Sequence, residues 1–387
     1  MPYFAEVSYN QLRYTGDVAG IAGATPVTNS PTVAYVRLPN PVTYYRGGPY
    51  PKTMAGAVSD TIKLLDEAGF DFSPYANPVT NEVENLVVIL AGSSVRYTDD
   101  WSTSFMPTSS YLLGLAGAVY TSTAGQVLDN FTICVDQKDN QSGELDRIGV
   151  CAHEHGHSMG MGDLYDLSGQ TAGDGYYDTM AGGIYGGQDG MLPFHFGAFS
   201  KQFFGWVTPT VVTGEAQITL APVQLKPEVI KLYPNGDPNS LEYFLLENRQ
   251  AVGFDQDWPS KGLCPGLLIW HIDDRIVKNP ATFLVMNSPS MFWDDTPKRP
   301  GVVIVEADGR YDMINEFVWG ECSDTWQVGR TWNATSTPNS NLWDEIPSNL
   351  CVSVLSQAGD GSLTLSIGTD ECGGGGFRSY LPIVINP

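Results

Sequence analysis

Basic residues are scarce in this chain: 20 Lys and Arg stand against 43 Asp and Glu, a formal net charge of -23. A surface this acidic repels nucleic acid and anionic membranes, so neither is an expected partner. It suits extracellular or saline settings and is able to hold calcium; charge alone does not choose between these. None of the six cysteines, Cys134, Cys151, Cys264, Cys322, Cys351 and Cys372, falls in a CxxC pair. A cysteine zinc site or thiol redox motif is therefore not expected. An even, widely spaced set reads instead as up to three disulfides in an oxidising compartment, and spacing alone does not select the pairing. Cys134–Cys151 and Cys351–Cys372 are guesses based on sequence proximity. No apolar run approaches the ~20 residues that span a bilayer, and no segment repeats. The start, MPYFAEVSYNQLRY, lacks a basic region followed by an apolar one, so the expectation is a mature or trimmed chain separated from its export signal and pro-segment.

What is present is globular. The 387 residues suffice for one large or two moderate domains, and 42 Gly with 26 Pro point to a loop-rich, partly β build. In MAGAVSDTIKLLDEAG (54–69), Ile62, Leu65 and Ala68 recur at spacings of three and Gly69 is a stop, which predicts a helix. ENLVVILAG (84–92) and NFTICVDQ (130–137) read as strands, and a helix is expected from about Leu145 to Met159. Residues 1–50 read as short strands and loops, and 93–125 take no assignment. After Trp206 the texture changes. Runs such as EYFLLENRQ, GLLIWHID, GVVIVEADG and CVSVLSQAGDGSLTLSIG, broken by turn formers, predict a largely antiparallel sandwich. GGGG (373–376) and FRSYLPIVINP read as a flexible linker and a short apolar tag.

Three of the five histidines crowd into CAHEHGHSMGMGDLYD (151–166). His153, Glu154 and His157 form an H-E-x-x-H pattern, in which two imidazoles one helical turn apart can bind one zinc, with the glutamate beside it as general base. At ~100° per residue from Ile148, His153 and His157 stand at roughly 140° and 180°, Glu154 at about 240° and His155 at about 340°. His155 therefore points to the packed side, with Ile148, Ala152 and Met159. A catalytic zinc needs a third protein ligand and an open position. Gly160 is suited to a left-handed conformation that turns the chain back, and Asp163, six residues past His157, then stands as the third ligand, with Asp166 as fallback. Met180 in YYDTMAGG is placed to form a methionine turn beneath the metal.

IGVCAHEHGHSMGMGDLYD resembles the active-site segment of the immune inhibitor A family of secreted, metzincin-like zinc metallopeptidases. FSPYANPVTNEVENLVVILAG, FSKQFFGWVTP (199–209), EYFLLENRQAVGFDQDWPSKGLCPGLLIWHIDD (242–274) and GVVIVEADG (301–309) are similar to further blocks of that family, in family order. The resemblance implies an extracellular endopeptidase with an attached β-rich region, with His153, His157 and Asp163 as zinc ligands, Glu154 as general base and Met180 in the turn. ANPVTNEVEN departs from the acidic, glycine-containing calcium loop of family members, so calcium there is in doubt.

Other candidates have plainer readings. His195 and His271 sit in apolar surroundings and read as hydrogen-bonded structural histidines, although His195 follows the methionine turn closely enough to line a cleft. Tyr176, Tyr177 and Tyr185 are candidates for an oxyanion donor, weighed against core or rim packing. Asp273 with Asp274, and Asp294 with Asp295, read as solvated acidic turns rather than calcium ligands. Asn130, Asn140 and Asn333 fit N-x-[ST].

The expected architecture is α+β. A zincin/metzincin-like catalytic domain with a mixed sheet and active-site helix occupies 1–206, a β-rich sandwich-like domain 207–370, and a Gly-rich linker with a short apolar tail 371–387. The expected function is a secreted zinc endopeptidase acting on proteins or peptides; calcium is a further candidate ion, and a monomer is the expected state. The alternative is an extracellular adhesion or binding protein that keeps the fold without catalysis, against which the intact Glu154 speaks.

Overall fold

The computed structural model describes residues 2–13, 18–19, 35–46, 48–83, 86–98, 104–139, 141–292, 295–369 and 372. The tail expected over 371–387, apart from Cys372, lies outside these, as do Asn140 and Asp294. By contacts the chain divides into Tyr14–Gly160 and a second unit of Met1–Arg13 with Met161–Pro387. That is a division by packing. The 1–206 and 207–370 boundaries, drawn from texture, stay a proposal about function.

In the first unit, helix α1 spans Met54–Glu67. The Thr53 hydroxyl caps it by accepting from the Gly56 amide at 3.3 Å. Its inward face is Ala55, Val58, Ile62 and Leu65, all buried, whereas Ala68 is exposed just past its end. Gly69 takes φ +80°, a conformation that stops the helix at little cost to glycine. Strand β1, Leu86–Ser93, runs parallel to β3, Asn130–Gln137; β2, Thr108–Tyr111, joins the other side of β3 antiparallel. β3 is thus central, which explains its unbroken buried run from Phe131 to Val135. Helix α2, Ile148–Ser158, follows it. The unassigned stretch 93–125 contains β2 and short helical turns at Val95–Thr98 and Leu112–Ala116.

In the second unit, residues Pro2–Val7 are helical, not extended as expected. Tyr3, Phe4 and Val7 are buried, and the Tyr3 hydroxyl donates to the Phe194 carbonyl at 2.7 Å, so tertiary anchoring decides this turn of helix. After helix α3, Ala198–Phe203, come the strands β4 (Thr210–Val211), β5 (Ala216–Leu220), β6 (Ile230–Leu232), β7 (Glu242–Arg249), β8 (Gly266–Asp273), β9 (Val302–Ile304), β10 (Thr331–Trp332), β11 (Cys351–Gln357) and β12 (Leu363–Gly368). One sheet has the order β9-β8-β7-β6-β4, the other β10-β11-β12-β5. All neighbouring pairs are antiparallel except β4 with β6.

Phe244, Leu246, Leu267 and Ile269 of the first sheet and Val352, Val354, Leu363 and Leu365 of the second share one core, the packing of a sandwich. β7 and β8 are buried at every residue, so both faces of this sheet are covered. The chain is therefore a mixed α+β protein with several sheets and few helices. Disulfides join Cys134–Cys151, Cys264–Cys322 and Cys351–Cys372. No helix among the described residues is long and apolar enough to cross a membrane.

Candidate metal centre

Helix α2 has no side-chain cap at its N-terminus, where Arg147 stands, and is held by its surroundings. Val150 and Ala152 are buried. The Cys134–Cys151 disulfide bonds the helix to β3, and the Asn130 side-chain amide donates to the Ser158 carbonyl at its C-terminus, 3.1 Å away. Asn130 is thereby committed to holding the helix, which argues against its reading as a glycan acceptor. The helix ends with the Gly160 amide donating to the His157 carbonyl at 2.8 Å, and Gly160 takes φ +95°.

His153 and His157 meet one turn apart. Their rings are edge to face with centroids 4.6 Å apart, and their Nε2 atoms are 3.1 Å apart. Asp163, the third candidate, follows six residues past His157 in the chain, beyond the turn at Gly160. Two nitrogens bound to tetrahedral zinc at ~2.0–2.1 Å stand ~3.3 Å apart, so the paired imidazoles have the spacing that a shared cation requires. The donor set, two imidazoles and a carboxylate, fits zinc and leaves a position open.

Glu154 is 4% exposed, and its Oε1 lies 3.9 Å from Arg96 Nη2, so a positive charge stands beside this carboxylate. His155 is also buried, with Nδ1 3.5 Å from the Ser158 hydroxyl; burial pushes its imidazole down to about 4, which keeps it neutral. Ile148, grouped with His155 by rotation, is instead 40% exposed at the first position of the helix.

Beyond Gly160 the chain is pinned within its own unit. The Leu164 amide donates to the Met180 carbonyl at 2.9 Å, and the Asn287 side chain to the Leu164 carbonyl at 2.9 Å. Met180 is fully buried. Its amide donates to Asp178 Oδ1 at 2.7 Å, while Asp178 Oδ2 accepts from the Gly197 amide at 2.8 Å and the Ser200 hydroxyl at 2.6 Å. One buried carboxylate thus shapes the turn. Asp166 directs both oxygens at Ser168, closing its own turn.

The remaining candidates are structural. Tyr177 is buried with its hydroxyl bonded to Asp324 and the Glu321 carbonyl, which removes it as an oxyanion donor; Tyr176 stacks on Trp319. His195 is fully buried between Glu6 Oε1 at 2.9 Å and Lys201 Nζ at 3.0 Å, so it lines no cleft. His271 bonds Glu242 at 2.9 Å and stacks on Trp343. Asp273, expected in a solvated turn, is fully buried and paired with Arg275 at 2.8 Å and Arg299 at 2.9 Å. Two nearby arginines make the burial of that charge tolerable.

Sequence reasoning missed Arg96, Asp178 and Arg249. Arg96 carries one faint signal, as a rare cation in an acidic chain; the other two are ordinary charged residues until the fold buries them.

Part of this chain is similar to known proteins. Residues 111–207 match the family model described as immune inhibitor A peptidase M6, catalytic domain. The pre-pro-metalloprotease PrtV of Vibrio cholerae serotype O1, in strains M66-2 and El Tor Inaba N16961, is 31% identical over 107 residues. That alignment covers 26% of this chain and 12% of the Vibrio protein, so the chain corresponds to only a small part of this relative. The segment carrying α2, Asp163 and the Met180 turn is thus a metallopeptidase-type segment, as the sequence resemblance implied.

Proposed function

We propose that this chain, matched over 111–207 to a metallopeptidase catalytic domain, is a secreted zinc-dependent endopeptidase that hydrolyses peptide bonds in proteins. The observation that carries the reading is the pairing of His153 and His157, whose Nε2 atoms stand 3.1 Å apart, on the family-matched segment, with Glu154 next in the chain to His153. In this reading His153, His157 and Asp163 hold zinc. Zinc held there supplies Lewis acidity toward a scissile carbonyl and toward water.

Glu154 takes a proton from the attacking water and returns it to the leaving amine. Arg96, at 3.9 Å, orients that carboxylate. Asp163 contributes a negative charge that binds the cation electrostatically and leaves it a weaker Lewis acid than three imidazoles would. The disulfides support an oxidising, extracellular setting. Residues 1–206 are proposed as the catalytic region and 207–370 as an accessory sandwich, acting as a monomer on protein or peptide substrates.

A casein digest with wild type and Glu154→Gln, with and without chelator, tests the reading. Chelation is expected to abolish cleavage and zinc to restore it. Glu154→Gln is expected to keep its zinc and lose activity by roughly 10²–10⁴-fold. Unchanged activity in Glu154→Gln, or no activity in a zinc-loaded, fully processed wild type, sinks it.

A further inference from the structure

A second group of carboxylates lies elsewhere in the sandwich unit, and the proposed peptidase chemistry does not use it. Oxygen atoms of Glu306, Asp308 and Asp324 lie within 4.8 Å of one another. Glu306 and Asp324 are fully buried. Each is fixed by donors on one side. Glu306 accepts from the Asp312 and Met313 amides at 2.9 and 3.1 Å, and Asp324 Oδ2 from the Glu321 amide and the Tyr177 hydroxyl at 2.7 and 3.0 Å. Among the described residues, Asp324 Oδ1 is buried with no hydrogen-bond partner. Asp308 accepts from the Arg310 amide at 3.0 Å, and the exposed Arg310 side chain meets its other oxygen at 3.3 Å as an ion pair without hydrogen-bond geometry.

Three buried or half-buried carboxylates facing one another are unstable as bare anions. Either protons or a cation must settle the cluster near neutral pH. The unpartnered Asp324 oxygen distinguishes the two, since a buried carboxylate oxygen without a donor lacks a ligand rather than a neighbour. All donors are oxygen, which disfavours zinc, and two ligands on opposite sides of a calcium ion at 2.3–2.6 Å stand ~4.6–5.2 Å apart, compatible with the observed spread.

We propose that Glu306, Asp308 and Asp324 form a calcium site that clamps the 306–308 turn to the 321–324 turn. The Cys264–Cys322 disulfide anchors the second turn independently. Through Tyr177, bonded to Asp324, the clamp reaches the segment leading into Met180. The site lies apart from the His153 cluster in the chain and shares no residue with it, so the two ions are separable in a test.

The test uses the full chain, stripped of metals and reloaded with one equivalent of zinc, then titrated with calcium or magnesium alone. Equilibrium dialysis is expected to show calcium bound through this site. The melting temperature is expected to rise by roughly 5–10 °C at a hundredfold excess over the dissociation constant. Asp308→Asn, at the half-buried position, is expected to lose one equivalent of calcium or weaken it by at least roughly tenfold, with zinc content unchanged. Asp324→Asn is expected to do the same; if it does not fold, Asp308→Asn carries the test. Terbium in place of calcium is expected to luminesce through the Tyr177 ring, and that signal to fall in Asp308→Asn. No calcium bound by wild type at millimolar concentration, calcium stoichiometry and affinity unaltered in Asp308→Asn, or tighter binding of magnesium than of calcium overturns the proposal.

Discussion

Arg249 is the most consequential charge that the sequence hid. It is fully buried, stacked 4.9 Å over the Trp258 ring. Its guanidinium meets Asp255 Oδ2 at 2.8 Å and Glu247 Oε1 at 3.3 Å, and donates to the Tyr177 carbonyl at 3.1 Å. Arg249→Met keeps most of the apolar stem and removes only the cation. Asp255 retains donors from the His195 amide and Gln224. Among the described residues Glu247 keeps only the hydrogen bond from Trp270 at 3.0 Å, and its Oε2 has no hydrogen-bond partner. Removing one partner of a buried ion pair costs about 3–5 kcal/mol, mostly the penalty of the charge left behind. Thermal unfolding with disulfides intact is the assay, with an expected drop of roughly 10 °C.

The same variant carries a pH signature. Burial already holds Glu247 above its usual range against the pull of Arg249, and losing Arg249 raises it further. A carboxylate raised in the folded state contributes stability below its unfolded value of ~4.3 and loses it as pH rises. The deficit should therefore shrink between pH ~7 and ~5, and adding Glu247→Gln should recover about 1–2 kcal/mol at neutral pH. A loss under about 1 kcal/mol, or a deficit independent of pH, would refute the reasoning.

Asp163→Ala should lower zinc retention on dialysis by at least roughly tenfold, read by metal analysis, and unchanged retention removes Asp163 from the ligand set. Cys134→Ser with Cys151→Ser opens a bridge between residues 17 apart, at a cost of about 3 kcal/mol and with α2 loosened from β3, checked by melting temperature and zinc content together. Burial and the Arg249 charge lower Lys201 to about 7. The unfolded chain therefore binds this proton up to pH ~10.4, and stability should climb by roughly 2–4 kcal/mol from pH 7 to 10. Lys201→Met should flatten that rise, as measured by urea unfolding across the range.

The His153–Glu154–His157 spacing, the left-handed Gly160 and the strands Leu86–Ser93 and Asn130–Gln137 were legible because each depends on local chain geometry: a helical repeat of 3.6, a residue without Cβ, a run of apolar side chains. Two of the disulfides were guessed as sequence neighbours, but nothing in the sequence selected Cys264–Cys322. Arg96 beside Glu154, Asp178 accepting from the Met180 amide, Arg249 between its carboxylates and the Glu306–Asp308–Asp324 cluster were not legible. Arg96 and Glu154 stand 58 residues apart in the chain, and Arg249 and the Tyr177 carbonyl 72. Sequence determined which residue types stood ready for chemistry; tertiary structure decided which charges were buried together, because the cost of burying a charge depends on neighbours that only the folded chain supplies.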